Sequence, residues 1–147
     1  MCMEMCAGMT NVNLFVYGSL MFDEVWSQLV CGDYLKLPAR LHGFMRRRVV
    51  GDVYPVIVRS HRGDWVDGIV YFGVGPEDMT RLDLFEADPY DRQTHLVLVE
   101  GREKRRADVY VLKDDYRYMV HDSEWDPQWF EQEGLPLFIR RYRGFQR

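Results

Sequence analysis

Cysteine is scarce in this 147-residue chain, and the three present, Cys2, Cys6 and Cys31, are an odd number. That argues against a disulfide framework. Cys31, after Leu29 and Val30, is expected to be a core or helix-end thiol. No second Cys or His pair follows at zinc spacing, and His42, His61, His95 and His121 are scattered, so no metal is expected. Long apolar runs are missing as well. Nothing approaches the roughly 18 residues that span a bilayer, and the N-terminus lacks the long uncharged core of a signal peptide. The expected location is cytoplasmic, with no membrane partner. A basic surplus is also absent: the formal charge is -4, which argues against nucleic acid as the main partner. Regular strand-helix alternation, internal repeats and low-complexity linkers do not occur, and a Rossmann-type sheet is thereby excluded.

What the chain does contain is enough apolar material for a core, 47% hydrophobic and 14% aromatic, at a length typical of one domain. Residues 1–11, with four Met, two Cys and no periodicity, form an expected loose N-terminal segment before a single domain over 12–147. Basic charge is carried by 16 Arg and only Lys36, Lys104 and Lys113. The runs Arg46 to Arg48 and Arg102 to Arg106 are expected at solvated strand ends or turns.

Short stretches rich in β-branched and aromatic residues predict strands over 12–17, 34–44, 47–50, 56–59, 65–72, 94–99 and 107–112, separated by Gly, Asp or charged turns. Several such strands in series predict an α+β fold with an antiparallel or mixed sheet curling toward a barrel. A short helix is expected from Asp23 to Val30. A second begins at Gly75-Pro76-Glu77-Asp78, with proline at its first position and acids in its first turn, and is closed by Asp88-Pro89. The aromatic residues from Trp125 to Phe145 suggest two short C-terminal helices over the sheet.

Two places could carry chemistry. At about 100° per residue, Met79, Leu82, Phe85 and Glu86 fall within one apolar arc of roughly 120°, which puts the Glu86 carboxylate on the core-facing stripe. Burial disfavours its charge, so Glu86 is a candidate general base with a raised pKa, or else a structural partner of Arg92 or a turn cap. At the end of the first strand, Tyr17-Gly18-Ser19-Leu20 could present backbone N-H groups to an anion, or could be an ordinary strand-helix turn.

Five segments in order resemble the γ-glutamylcyclotransferase-like superfamily, in its avirulence-induced-gene-like branch. They are Asn13 to Met21, Val53 to Ile57, Val66 to Phe72, Leu82 to Glu86, and Tyr90-Asp91-Arg92. The resemblance covers residues 12–145. It implies a mixed, mostly antiparallel β-barrel with flanking short helices and a cavity between the strand-end loop and the acidic helix. It further implies that Tyr17, Gly18, Ser19 and Leu20 bind a γ-glutamyl group, that Glu86 is the catalytic base, and that Tyr54, Tyr90 and Arg92 support the pocket. The activity so implied is an acyltransferase-type cyclisation of a small-molecule γ-glutamyl amide to 5-oxoproline with release of an amine, needing no metal or organic cofactor. The leaving amine and the oligomeric state are open. A non-catalytic small-molecule-binding or stress-linked interaction protein on the same fold is the competing expectation.

Overall fold

The structure is a computed structural model and describes residues 11–142. The expected loose segment over 1–11 lies almost wholly outside the described residues. Strand β1, Val12–Val16, enters first and is buried on both sides: period-2 alternation sends Phe15 and Tyr17 into one apolar cluster and Leu14 and Val16 into another. Around it, β2 (Lys36–His42), β5 (Trp65–Val74), β6 (Tyr90–Val99) and β7 (Glu103–Leu112) close a barrel in the order β1-β5-β2-β6-β7. All barrel pairings are antiparallel except the parallel closure of β1 on β7 at Leu14 and Asp108. Barrel and flanking helices together bear out the expected α+β class.

The interior holds Phe15, Leu41, Val66, Val70, Val97 and Val109. Gly68 lies at a close approach of β1 and β5, since a Cβ there would come within 2.3 Å of the Val16 carbonyl oxygen. Only glycine fits that place.

A second sheet, β3 (Phe44–Val49), β4 (Pro55–Arg59) and β8 (Val120–Glu124) in the order β4-β3-β8, was not foreseen as separate from the barrel. Strand β8 is polar and nearly all exposed, so it carries little hydrophobic signal. Two further expectations need correction. Arg46, Arg47 and Arg48 lie inside β3 and are half-buried rather than at a solvated strand end. Cys31 is disulfide-bonded rather than the expected core or helix-end thiol.

The helices pack outside the barrel. Helix α1, Asp23–Leu29, buries Val25, Trp26 and Leu29, with Trp26 stacked on Tyr71 of β5 at 3.7 Å between ring centres. Helix α2, Pro76–Glu86, follows Gly75 at its N-cap and inserts Met79 and Leu82 into the same cluster. The C-terminal aromatic segment is nearly one helical run instead of two separate helices: α3 (Pro127–Trp129), capped by Asp126, passes through a π-helical stretch, Phe130–Gly134, into α4 (Leu135–Tyr142). Trp125, Phe130 and Phe138 are buried there, against Val53 among others. Among the described residues no helix is long and apolar enough to cross a membrane.

Candidate active site

Between the end of β1 and the end of α2 lies a cavity of about 270 Å³. Tyr17, Gly18, Ser19 and Leu20 form one wall, and Phe85, Glu86, Asp88 and Pro89 form another. Tyr54, Tyr90, Tyr110 and Phe138 contribute to the lining. The volume suits a small metabolite rather than a cofactor of nucleotide size. Its charged lining side chains are Glu86 and Asp88, both acidic, and Asp88 is engaged by Lys113 at 2.6 Å. When Glu86 is ionised, the pocket carries an uncompensated negative charge that attracts an ammonium group.

The loop is shaped by local geometry. After Val16, the last residue of β1 in register with β5, the chain leaves the barrel and makes a single 3-10 turn at Ser19–Met21, with Met21 N-H donating to the Gly18 carbonyl at 3.0 Å. Gly18 is required by Pro55, whose ring carbons would lie 2.6 and 2.8 Å from a Cβ. Among the described residues the N-H groups of Gly18, Ser19 and Leu20 meet no protein acceptor, and the Ser19 hydroxyl, which keeps some exposure, makes no hydrogen bond to the protein. Unmet donors in a partly enclosed site are costly unless a ligand or water accepts from them.

Glu86 is the last residue of α2, and Ala87 after it turns the chain with φ 46. The Glu86 carboxylate makes no hydrogen bond or ion pair among the described residues. Burial, and then the negative charge of Asp83, push its pKa up to about 8. Its place at the negative end of the helix dipole acts in the same direction. The Tyr17 hydroxyl donates to the Tyr110 carbonyl, and burial followed by the Glu86 charge holds Tyr17 well above the usual phenol range. Tyr17 is therefore a fixed neutral donor.

Arg92 does not pair with Glu86. Its guanidinium lies 3.3 Å from Asp83 and 3.2 Å from Asp108. Asp83 also accepts from the Tyr110 hydroxyl at 2.7 Å. Tyr90 lines the cavity and donates to the Pro55 carbonyl at 2.9 Å, and Tyr54 packs near it with ring centres 6.5 Å apart. Tyr17 through Leu20, Tyr54, Glu86 and Tyr90 thus share one cavity, whereas Arg92 stands behind it. Sequence reasoning missed Asp83, Tyr110 and Phe138 as neighbours of Glu86. Helical spacing alone could have flagged Asp83, three residues before Glu86. No triad of His, Cys, Asp and Glu that could hold a metal is found among the described residues.

The family model described as "Gamma-glutamyl cyclotransferase, AIG2-like" matches residues 14–127. The chain belongs to this family. AIG2-like protein C of Arabidopsis thaliana is 34% identical over 142 residues, covering 96% of this chain and 81% of that protein. A solution structure of an Arabidopsis thaliana protein superposes with a TM-score of 0.68 at 29% identity, covering 96% of this chain and 85% of the other. A structure named γ-glutamyl cyclotransferase superposes with a TM-score of 0.64 at 18% identity, covering 89% and 85%, and shows the shared fold alone. In this AIG2-like chain, the cavity lies between the Tyr17 to Leu20 loop and the C-terminal end of α2.

Proposed function

We propose that the chain is a γ-glutamylcyclotransferase: it cyclises a γ-glutamyl amide to 5-oxoproline and releases the amine, with Glu86 as general base. The observation that carries this reading is the single cavity in which an unpartnered carboxylate with a pKa of about 8 stands opposite unpartnered loop N-H groups.

The substrate brings its own nucleophile, the α-amine, and its own electrophile, the side-chain amide carbon. Holding the two in ring-closing geometry can supply roughly 7 to 11 kcal/mol of the barrier. The amine arrives as an ammonium ion and cannot attack until it loses a proton. A carboxylate with a pKa of about 8 is well matched to take that proton, because transfer is then close to thermoneutral. The freed amine attacks the carbonyl carbon, a carbon-nitrogen bond forms, and the oxygen becomes an oxyanion held by N-H groups of the 18–20 loop. Glu86 passes a proton to the departing nitrogen, and the old carbon-nitrogen bond breaks. Of the three ammonium protons, one remains on the ring nitrogen, one reaches the leaving amine through Glu86, and one goes to solvent. Tyr54, Tyr90 and Arg92 support the pocket without touching the reacting atoms.

The test is release of 5-oxoproline from a panel of γ-glutamyl amides by the purified protein. With Glu86 ionised in the free enzyme as the active form, kcat/KM should rise with pH through an acidic limb near 8. Glu86→Gln should lower kcat at least about 100-fold with the fold intact. Full activity in that variant sinks the mechanism, and ligand-induced stabilisation with no turnover by the parent favours the binding-protein reading.

A further inference from the structure

We infer that Arg46, which lies outside the cavity on the second sheet, is a positioning residue for the 18–20 loop and strengthens its donors. The inference rests on the reading of that loop as the oxyanion and substrate cradle.

Strands β1 and β5 pair as far as Val16 and Ile69 and then part, as the chain turns into the loop. Parting leaves carbonyls on both strands without ladder partners, a cost in a partly buried place. One guanidinium nitrogen of Arg46, reaching across from β3, spans the fork: Nη1 donates to the Tyr17 carbonyl at 2.8 Å and to the Asp67 carbonyl at 3.1 Å. Its guanidinium lies 5.2 Å from the centre of the Trp125 ring. Trp125 is itself buried and held by donation from its indole nitrogen to the Val53 carbonyl at 2.8 Å. Arg46 is thus held from behind and in turn holds the last carbonyl before the loop.

The Tyr17 carbonyl and the Gly18 N-H are two ends of one peptide group. A cation donating to the carbonyl withdraws electron density through that group and makes the N-H a stronger donor, an effect that low local dielectric enlarges. Gly18 N-H is one of the three loop donors without a protein acceptor. The arrangement therefore both fixes the loop's direction and raises its capacity to hold developing negative charge. Lysine would keep the charge but lose the planar face against Trp125.

The experiment compares the parent with Arg46→Met and Arg46→Lys on a γ-glutamyl amide that the parent turns over. Arg46→Met, which keeps an unbranched stem against Trp125, should lower kcat about 10- to 100-fold, the range for losing part of an oxyanion cradle. The acidic limb of kcat/KM should stay near its parental pH, because Arg46 does not act on Glu86. Millimolar guanidinium ion should restore part of the lost kcat, and amide hydrogen exchange in a peptide spanning residues 17–20 should quicken. A merely structural brace predicts a lower melting temperature with parental kcat per folded molecule and no recovery by guanidinium. That result overturns the inference, as does kcat within about twofold of the parent. If Arg46→Met does not fold, Arg46→Lys carries the test: a kcat loss of about threefold or more with a parental circular dichroism spectrum supports the inference, and parental kcat overturns it. A parent inactive on every γ-glutamyl amide overturns the functional reading itself, whereas an active parent with an equally active Arg46→Met overturns only the role of Arg46.

Discussion

Helix α2 carries an enclosed carboxylate at each end, and the two are treated in opposite ways. At its N-terminal end Asp78, 3% exposed, accepts from the Cys31 N-H at 2.9 Å, the Gly32 N-H at 3.1 Å, the Tyr34 hydroxyl at 2.6 Å and the Arg81 guanidinium. Burial alone would raise its pKa, but these donors outweigh burial and hold it below the usual carboxylate range. At the C-terminal end Glu86 has no donor among the described residues and is pushed up to about 8. The helix dipole favours the first charge and disfavours the second. Burial bears on both, Asp78 being buried and Glu86 half-buried, so the difference lies in the partners: a saturated carboxylate ties the segment after α1 to α2, and an unsaturated one is left free to exchange a proton.

Asp78→Ala removes the acceptor shared by two backbone N-H groups, a hydroxyl and a guanidinium, and should cost about 3 kcal/mol of stability. Urea denaturation at pH 7 measures it, with turnover per folded molecule kept near the parental value. Because the folded pKa is depressed, the contribution of Asp78 is present above its unfolded pKa and is lost as pH falls through the lower folded value. A loss under about 1 kcal/mol at pH 7 would mean that the four donors find other acceptors.

Glu86 should behave in reverse. With its folded pKa near 8 and its ordinary value at 4.5, the native state binds the proton more tightly than the unfolded chain, so stability falls as pH rises through that window. Glu86→Gln removes the ionisation. At pH 8 to 9 it should be more stable than the parent by on the order of 2 kcal/mol, roughly 4 to 8 °C in melting temperature, with the gain shrinking to nothing near pH 4.5. A pH-independent difference between the two melting curves would show that Glu86 titrates as an exposed carboxylate.

Much of this was legible in the sequence where a feature is local. The spacing of Met79, Leu82, Phe85 and Glu86 depends only on helix geometry, and the barrel strands announce themselves by β-branched residues between turns. What escaped depends on pairs far apart in sequence. Asp78 sits in the first turn, where an acid is commonplace, and its enclosure comes from residues 44 to 47 positions earlier. Arg46 looked like one of three solvated arginines, and its partners at Tyr17 and Asp67 come together only when β3 is laid against the fork of β1 and β5. Strand β8 is polar and exposed, and periodicity cannot find a strand without an apolar face.

The smallest expected effect comes from a change confined to the surroundings of Glu86. Asp83, one turn before it, contributes negative charge that raises Glu86 further, while Asp83 itself accepts from Tyr110 and pairs with Arg92. The other ionisable side chains lining the cavity are Tyr17, Tyr54, Tyr90, Tyr110 and Asp88, the last engaged by Lys113. Asp83→Asn removes the charge but keeps an oxygen for the Tyr110 hydroxyl, and Arg92 retains Asp108. Glu86 then loses a repulsive neighbour while the positive charge of Arg92 is no longer neutralised as fully, and both changes favour the carboxylate. The acidic limb of kcat/KM should move toward lower pH by about one unit, with the maximal rate changed little. Arg92→Leu should move the same limb the other way, since Asp83 would stand uncompensated. If the two variants shift the limb in one direction, or not at all, the pKa of Glu86 is set by burial and the helix end alone, and Asp83 is only a hydrogen-bond acceptor.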